Sequence, residues 1–393
     1  MSAMTAAQTP DGATPILDRQ APLPPPALRG SVPLFVIWIA IAIGFAASIA
    51  FLNSPALQEW LDCKARQWFP SEWIGARIFR VGASLLGIVV ATIAIHELGH
   101  VVGGLCAGLS FAELRIGPLH FQRPFRISWY SGVGAATGGW AVMAPAKKDH
   151  LRLRALALVA GGPAANLLAG GIAFLLPPFD QFFSDIFILV SLGAGLGELL
   201  PFRTEVAVSD GIRLWMLLRN RASGERWLAT MVLGNELRSG VLPEALSADY
   251  LAKAVAVRDG SVDTVTAHAI AYSAAFHQHK DAEAGQLLET CLKYVSAAGA
   301  SLRAALMSDA AVFQARRRKR LDLAEEWLSS MPPSPPWLQR RAEAAILEAH
   351  GNREGALHKL KEVEAAILSM PKGAQREMLL RLLQRWVLEL GGR

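Results

Sequence analysis

Apolar residues in this chain come as long unbroken runs in the first half and as short helical stripes in the second. From Gly30 to Gln58 no residue is charged, a run of 29 positions. About 20 apolar residues suffice for a helix to cross a bilayer, so this run predicts a membrane anchor. A cleaved signal peptide is the rival reading, but the length of the run and the long proline-rich leader before it favour the anchor. A second apolar stretch, Val81 to Leu109, is interrupted by His96, Glu97 and His100. A third, Ala155 to Phe179, is uncharged. A fourth runs from Ile186 to Phe202, is broken by Glu198, and resumes after Arg213 as Leu214–Leu218. The pattern predicts four spans, the last of them broken. Residues 1–30 are rich in Pro, Ala and Thr, a composition that cannot bury a core and predicts a disordered tail.

Beyond about Asn220 charges become frequent and the apolar spacing turns helical. The stretches Ala274–Leu288, Val312–Leu328 and Ala344–Leu360 superpose, each with a small-residue helix end, a polar turn, and Ala and Leu four apart. Ala284/Leu288, Ala324/Leu328 and Ala356/Leu360 coincide, at spacings of 40 and 32 residues. This resembles a degenerate tetratricopeptide-type array, whose period is about 34 residues. A plain helical bundle is the other reading. The fold class expected is therefore an all-α polytopic membrane protein with a re-entrant β-like loop, followed by a soluble α-helical, tetratricopeptide-like domain. Its parts are a tail (1–30), a membrane-embedded domain of about four spans (31–220) and a cytoplasmic helical domain (221–393).

Composition agrees with a membrane part joined to a soluble one. Hydrophobic residues make up 52% and charged residues 18%, below the roughly 25% of soluble domains. The net charge of +6 could suit nucleic acid, but the basic residues flank apolar segments, which is the pattern of cytoplasmic membrane loops. Seven basic residues (Arg115, Arg123, Arg126, Lys147, Lys148, Arg152 and Arg154) lie between spans two and three, against four in residues 54–80. The expected location is the cell membrane, multi-pass, with both termini cytoplasmic, and with the lipid bilayer rather than nucleic acid as a partner. Cys63, Cys106 and Cys291 are too far apart for a C-x-x-C pair and support neither a disulfide framework nor a cysteine metal site.

The chemistry concentrates in His96-Glu97-Leu98-Gly99-His100. On a helix, positions i and i+4 share a face, so both imidazoles can hold one Zn2+ while the intervening carboxylate reaches its water. Ionisable groups inside a span are costly, and a metal supplies the compensating partner. A third ligand is needed. Asp210, in Asp210-Gly211 just past the helix-breaking Pro201, is the best candidate, although an Asp-Gly pair alone usually marks a turn. Glu198 and Glu205 are the substitutes.

With these residues in hand, the chain resembles the site-2 protease family of intramembrane zinc metalloproteases over roughly residues 80–215. The histidine motif at 96–100 lies in a hydrophobic helix. Thr137–Met143 looks like the family's glycine-containing re-entrant loop, and Gly162-Pro163-Ala164-Ala165-Asn166 like its G-P-x-x-N motif. Leu200-Pro201 and Asp210-Gly211 stand where the family's core ends. The chain departs from the pattern in having Glu198 where the family has Asn, and in the longer interval from Pro201 to Asp210. The resemblance implies His96, His100 and Asp210 as metal ligands and Glu97 as the catalytic base. Gly138, Gly139 and Asn166 would contact substrate, with close helix packing as the plainer role for the glycines. The substrate implied is a single-span membrane protein, cut in or near its transmembrane segment, and the helical domain offers a surface to a protein partner. The CAAX-type protease family also uses H-E-x-x-H, but Glu244 and Asp249 have neither its spacing nor a place in a span. The non-enzyme rival is a degenerate scaffold that works through its helical domain.

Overall fold

The computed structural model describes residues 15–18, 74–123, 126–129, 138–178, 181–202, 208–370 and 372–391. The expected first span (30–58), most of the tail, Thr137 and Glu205 lie outside the described residues. The chain divides into two compact units, residues 28–221 and residues 1–27 together with 222–393.

In the first unit, helix α1 (Ile74–Cys106) carries the histidine motif, and α2 (Leu151–Leu175) packs against it. Among the described residues these two helices are long and apolar enough to cross a membrane, with mean hydropathies of 1.9 over Gly82–Cys106 and 1.6 over Leu151–Leu175. Their outer faces present large apolar side chains, Leu86 and Phe174 among them, an arrangement that suits lipid better than water. Their inner faces meet through small residues: a Cβ on Gly99 or Gly161 would strike the backbone carbonyl of the other. Helix α3 (Gln181–Leu199) packs on α2, and α4 (Asp210–Leu218) on both.

Between α1 and α2, where a re-entrant β-like loop was expected, the chain forms an antiparallel sheet of order β3-β2-β1-β4. Its strands are β1 (Leu109–Ile116), β2 (Leu119–Gln122), β3 (Arg126–Trp129) and β4 (Gly139–Pro145). The β-branched and aromatic residues of β1 to β3 are short alternating runs that hydropathy over a span-length window averages away. Gly117, at φ 57, makes the tight β1–β2 turn. The β1–β4 ladder runs from Leu109 opposite Pro145 to Ile116 opposite Gly139, with a bulge between Phe111 and Glu113. β4 pairs on one side only, among the described residues.

The second unit is helical throughout: α5 (Ala222–Arg238), α6 (Ala248–Val255), α7 (Val262–His277), α8 (Asp281–Lys293), α9 (Ala300–Phe313), α10 (Leu321–Ser329), α11 (Pro336–Ala349), α12 (Arg353–Ser369) and α13 (Ala374–Gly391). The three superposed stretches are the helix hairpins α7–α8, α9–α10 and α11–α12. Each turn has one residue at positive φ, namely His279, Lys319 or Gly351. Each of these stands five positions before a fully buried alanine, Ala284, Ala324 or Ala356. The small residue lets the second helix of each hairpin lie close, and Leu288 and Leu360, one turn on, fill the shared core.

That core also contains Leu17, which is 1% exposed. Residues 16–18 form a 3-10 turn that belongs to this unit. The tail, expected to be disordered and without a core, is therefore ordered at this one point among the described residues. Composition over thirty residues says the tail cannot build a core of its own, but it says nothing against one leucine entering another segment's core.

Candidate metal centre

His96 and His100 lie one helical turn apart on α1, with their Nε2 atoms 3.1 Å apart. Asp210, the first residue of α4, brings its Oδ2 to 3.1 Å from His96 Nε2 and 3.2 Å from His100 Nε2. The three atoms make a nearly equilateral triangle. For a tetrahedral zinc with bonds of about 2.0–2.1 Å, two ligand atoms stand roughly 3.3–3.4 Å apart, so the triangle is close to the required size. Among the described residues this is the one group of three potential metal ligands within reach of each other. Asp210 Oδ2 is buried without a hydrogen-bond partner, and a cation among the three atoms would satisfy it.

The imidazoles are oriented from behind, which is what a metal site requires. His100 Nδ1 lies 2.8 Å from the Leu158 carbonyl of α2, so it carries a proton and leaves Nε2 free to bind. His96 Nδ1 faces the Asn166 amide, 3.3 Å from Nδ2, while Asn166 Oδ1 is buried and unpaired. Amide oxygen and nitrogen are interchangeable by a flip of the side chain. With Oδ1 turned to His96, the orphan oxygen accepts the Nδ1 proton and Nε2 is again free. Asn166 is 1% exposed. Expected to contact substrate, it lies buried behind His96, as a group that sets the ring.

Two glycines make room. A Cβ on Gly162 would lie 2.5 Å from His100 Nε2 and 2.8 Å from His96 Nε2, so α2 can pass beside the rings only with glycine there. A Cβ on Gly139 would lie 2.5 Å from Glu97 Oε1, which puts the Glu97 carboxylate at the start of β4. The Gly138 carbonyl accepts from Gly117 N at 3.0 Å, tying β4 to the β1–β2 turn. Glu97 is buried, whereas the side chains of His96, His100 and Asp210 keep 12–14% exposure, a narrow opening onto the trio.

Asp210 reaches the histidines despite the long interval after Pro201, because Ser209 gathers the ends of that interval. Its hydroxyl donates to the Leu200 carbonyl at 2.7 Å and accepts from Phe202 N at 3.0 Å and Ile212 N at 3.3 Å, the last as the cap of α4. Ser209 was missed in the sequence, although a serine just before an Asp-Gly helix start is a capping signal. Glu198 does not join the trio. It stands beside Asp210 and accepts its backbone N–H at 3.4 Å. Gly211 lets the start of α4 rest directly on the backbone at Leu199.

The helical unit has its own concavity of about 210 Å3, lined by Tyr272, Phe276, Arg316, Arg341 and Trp386 among others. Burial pushes the His277 imidazole down to about 4 there and raises the carboxyl of Asp309, which is paired with Arg341. Comparison of the chain with protein-family models, with curated proteins and with solved structures finds no match.

Proposed function

We propose that the chain is a zinc metalloendopeptidase of the site-2 protease kind, which hydrolyses a peptide bond in or near the transmembrane segment of a single-span membrane protein. The observation that carries this reading is the triangle of His96, His100 and Asp210 with Glu97 beside it on the same apolar helix. A zinc ion held by that trio supplies Lewis acidity to a peptide carbonyl and a water molecule. Glu97 takes the proton of the attacking water and delivers it to the leaving amine. Leu158 and Asn166 keep the two imidazoles in the tautomer that binds. A substrate helix must unwind to expose its backbone, and β4, the last strand of the sheet among the described residues and next to Glu97, suits capture of the opened strand by strand addition. Gly138 and Gly139 begin that edge.

The second unit supports a multi-pass anchor on the cell membrane with both termini cytoplasmic. Residues 16–18 belong to the same unit as 222–393, which suits an even number of crossings such as four, and the basic residues of 108–154 favour the cytoplasm as the shared side. The concavity of arginines and aromatic rings suits recruitment of a protein partner carrying acidic and apolar side chains.

The test is the pair Glu97→Gln and His96→Ala in the full chain. Glu97→Gln keeps one zinc per chain, loses peptidase activity, and causes the membrane-protein substrate to accumulate uncut. His96→Ala loses both zinc and activity. Zinc retained with no cleavage by the wild type of any membrane-protein pool would replace the enzyme with a metal-stabilised scaffold.

A further inference from the structure

The N-terminal turn is held by side chains of the helical unit rather than by a helix or a strand. Glu289 takes two consecutive backbone N–H groups, Ile16 N at 2.7 Å and Leu17 N at 2.8 Å, one on each carboxylate oxygen. The Leu17 carbonyl accepts from Gln314 Nε2 at 2.6 Å and from Trp327 Nε1 at 3.4 Å. Asp18 accepts from Gln314 Nε2 at 3.3 Å and pairs with Arg318. The Leu17 side chain fills the core beneath.

Gln314 and Arg318 stand at the two ends of one π-helical turn that continues α9. Such turns are rare and concentrate at functional sites. This one puts two side chains, four residues apart, on the same three-residue segment. The contacts divide into general and specific. Glu289, Gln314 and Trp327 read backbone groups that any peptide offers. The leucine pocket and Arg318 read the side chains, the first for shape and the second for negative charge.

We propose that Glu289, Gln314, Arg318 and Trp327 form a recognition site for a short peptide of the pattern apolar–Leu–Asp. The chain fills it in cis with Ile16–Asp18, and a second protein carrying the same pattern fills it by displacing them. An empty site would leave Glu289 and the fully buried Gln314 without these partners, so occupancy is favoured. The cis ligand gains only from tethering. Tethering through a flexible linker is equivalent to about millimolar free ligand. A free peptide at millimolar concentration can therefore compete.

The experiment uses the full chain in detergent micelles and a fluorescein-labelled peptide of residues 12–18. The variant Leu17→Ser should bind this peptide saturably, at least about tenfold more tightly than the wild type does. Replacing the leucine of the peptide by serine, or adding Glu289→Gln to the protein, should abolish that binding. A folded Leu17→Ser variant that shows no saturable binding, or binds the serine peptide equally, overturns the proposal. If Leu17→Ser does not fold, the wild type supplies the answer. Tryptic cleavage after Arg19, one residue beyond Asp18, should then accelerate when unlabelled peptide is added in excess and not when the serine peptide is. An unchanged rate overturns displacement.

Discussion

Replacing Gly162 by alanine adds one methyl group beside both histidines of the candidate metal centre. Its Cβ would stand 2.5 Å from His100 Cε1 and Nε2, where ordinary contact begins at 3.4 Å, an overlap of 0.9 Å (3.4 − 2.5). Pulling helix α2 back would open the close backbone contact between Gly161 and Gly99. The rings must move instead, away from the Leu158 carbonyl and from Asn166. Changes behind a ligand typically cost about 10–100-fold in metal affinity, and this one displaces the ligands themselves. The expected loss is therefore near 100-fold, about 2.8 kcal/mol. Folding without metal changes less, because the helix propensity of alanine, about 1 kcal/mol better than that of glycine, offsets part of the cost of moving the rings. The assay is zinc competition with a chromophoric chelator, beside thermal unfolding in excess chelator. Gly171→Ala on the same helix is the control, since a Cβ there meets nothing within 4 Å and should leave zinc binding unchanged. Zinc affinity of Gly162→Ala within threefold of the wild type would refute the geometry.

Ser209→Ala removes the cap of α4 and the tie to Leu200 and Phe202. It should cost about 0.5–2 kcal/mol of local stability and weaken zinc binding through Asp210, with helix content preserved, as read by zinc titration and circular dichroism. In the helical unit, Asp259 is partly buried, which raises its pKa. Hydrogen bonds from the buried Arg226, and from Ser261 and Thr264, outweigh this and hold its carboxyl well below the usual carboxylate range. A folded-state pKa below the unfolded one means that the stabilisation is fully present above about pH 4 and is lost as pH falls further. The wild-type unfolding temperature should drop through that window, more steeply than in Asp259→Asn, and equal slopes would sink the assignment. In a background free of native cysteines, new cysteines within 54–77 should be labelled from outside the cytoplasm, and those in 120–130 from the cytoplasmic side alone. The reverse pattern inverts the topology.

The trio of the candidate metal centre was legible because its members obey local rules. His96 and His100 need only helical spacing, and Asp210 needs a carboxylate just past a broken span. The hairpins of the second unit were legible for the same reason, since the alanines at 284, 324 and 356 recur at matching places. What the sequence did not show depends on contacts between distant segments. Asn166 reads as a polar residue free to bind substrate until α2 is laid against α1 and its amide meets His96. The sheet was obscured because β2 and β3 have four residues each, too few for a periodicity to stand out beside long apolar helices. Ser209 carried a readable capping signal, but its second task, closing the excursion after Pro201, appears only once Leu200 and Phe202 are beside it.

The docking of Leu17 also sets an order of events in synthesis. Its partner Gln314 lies 297 residues further along the chain. At the roughly 5–20 residues per second of translation, Leu17 waits about 15–60 seconds for the side chain that receives its carbonyl. By then every residue of the metal centre has left the ribosome. The core of the helical unit thus closes late, on a segment made well before it. A chain that stops short of Trp327 contains every residue of the candidate metal centre, yet lacks part of the site that holds Ile16–Asp18.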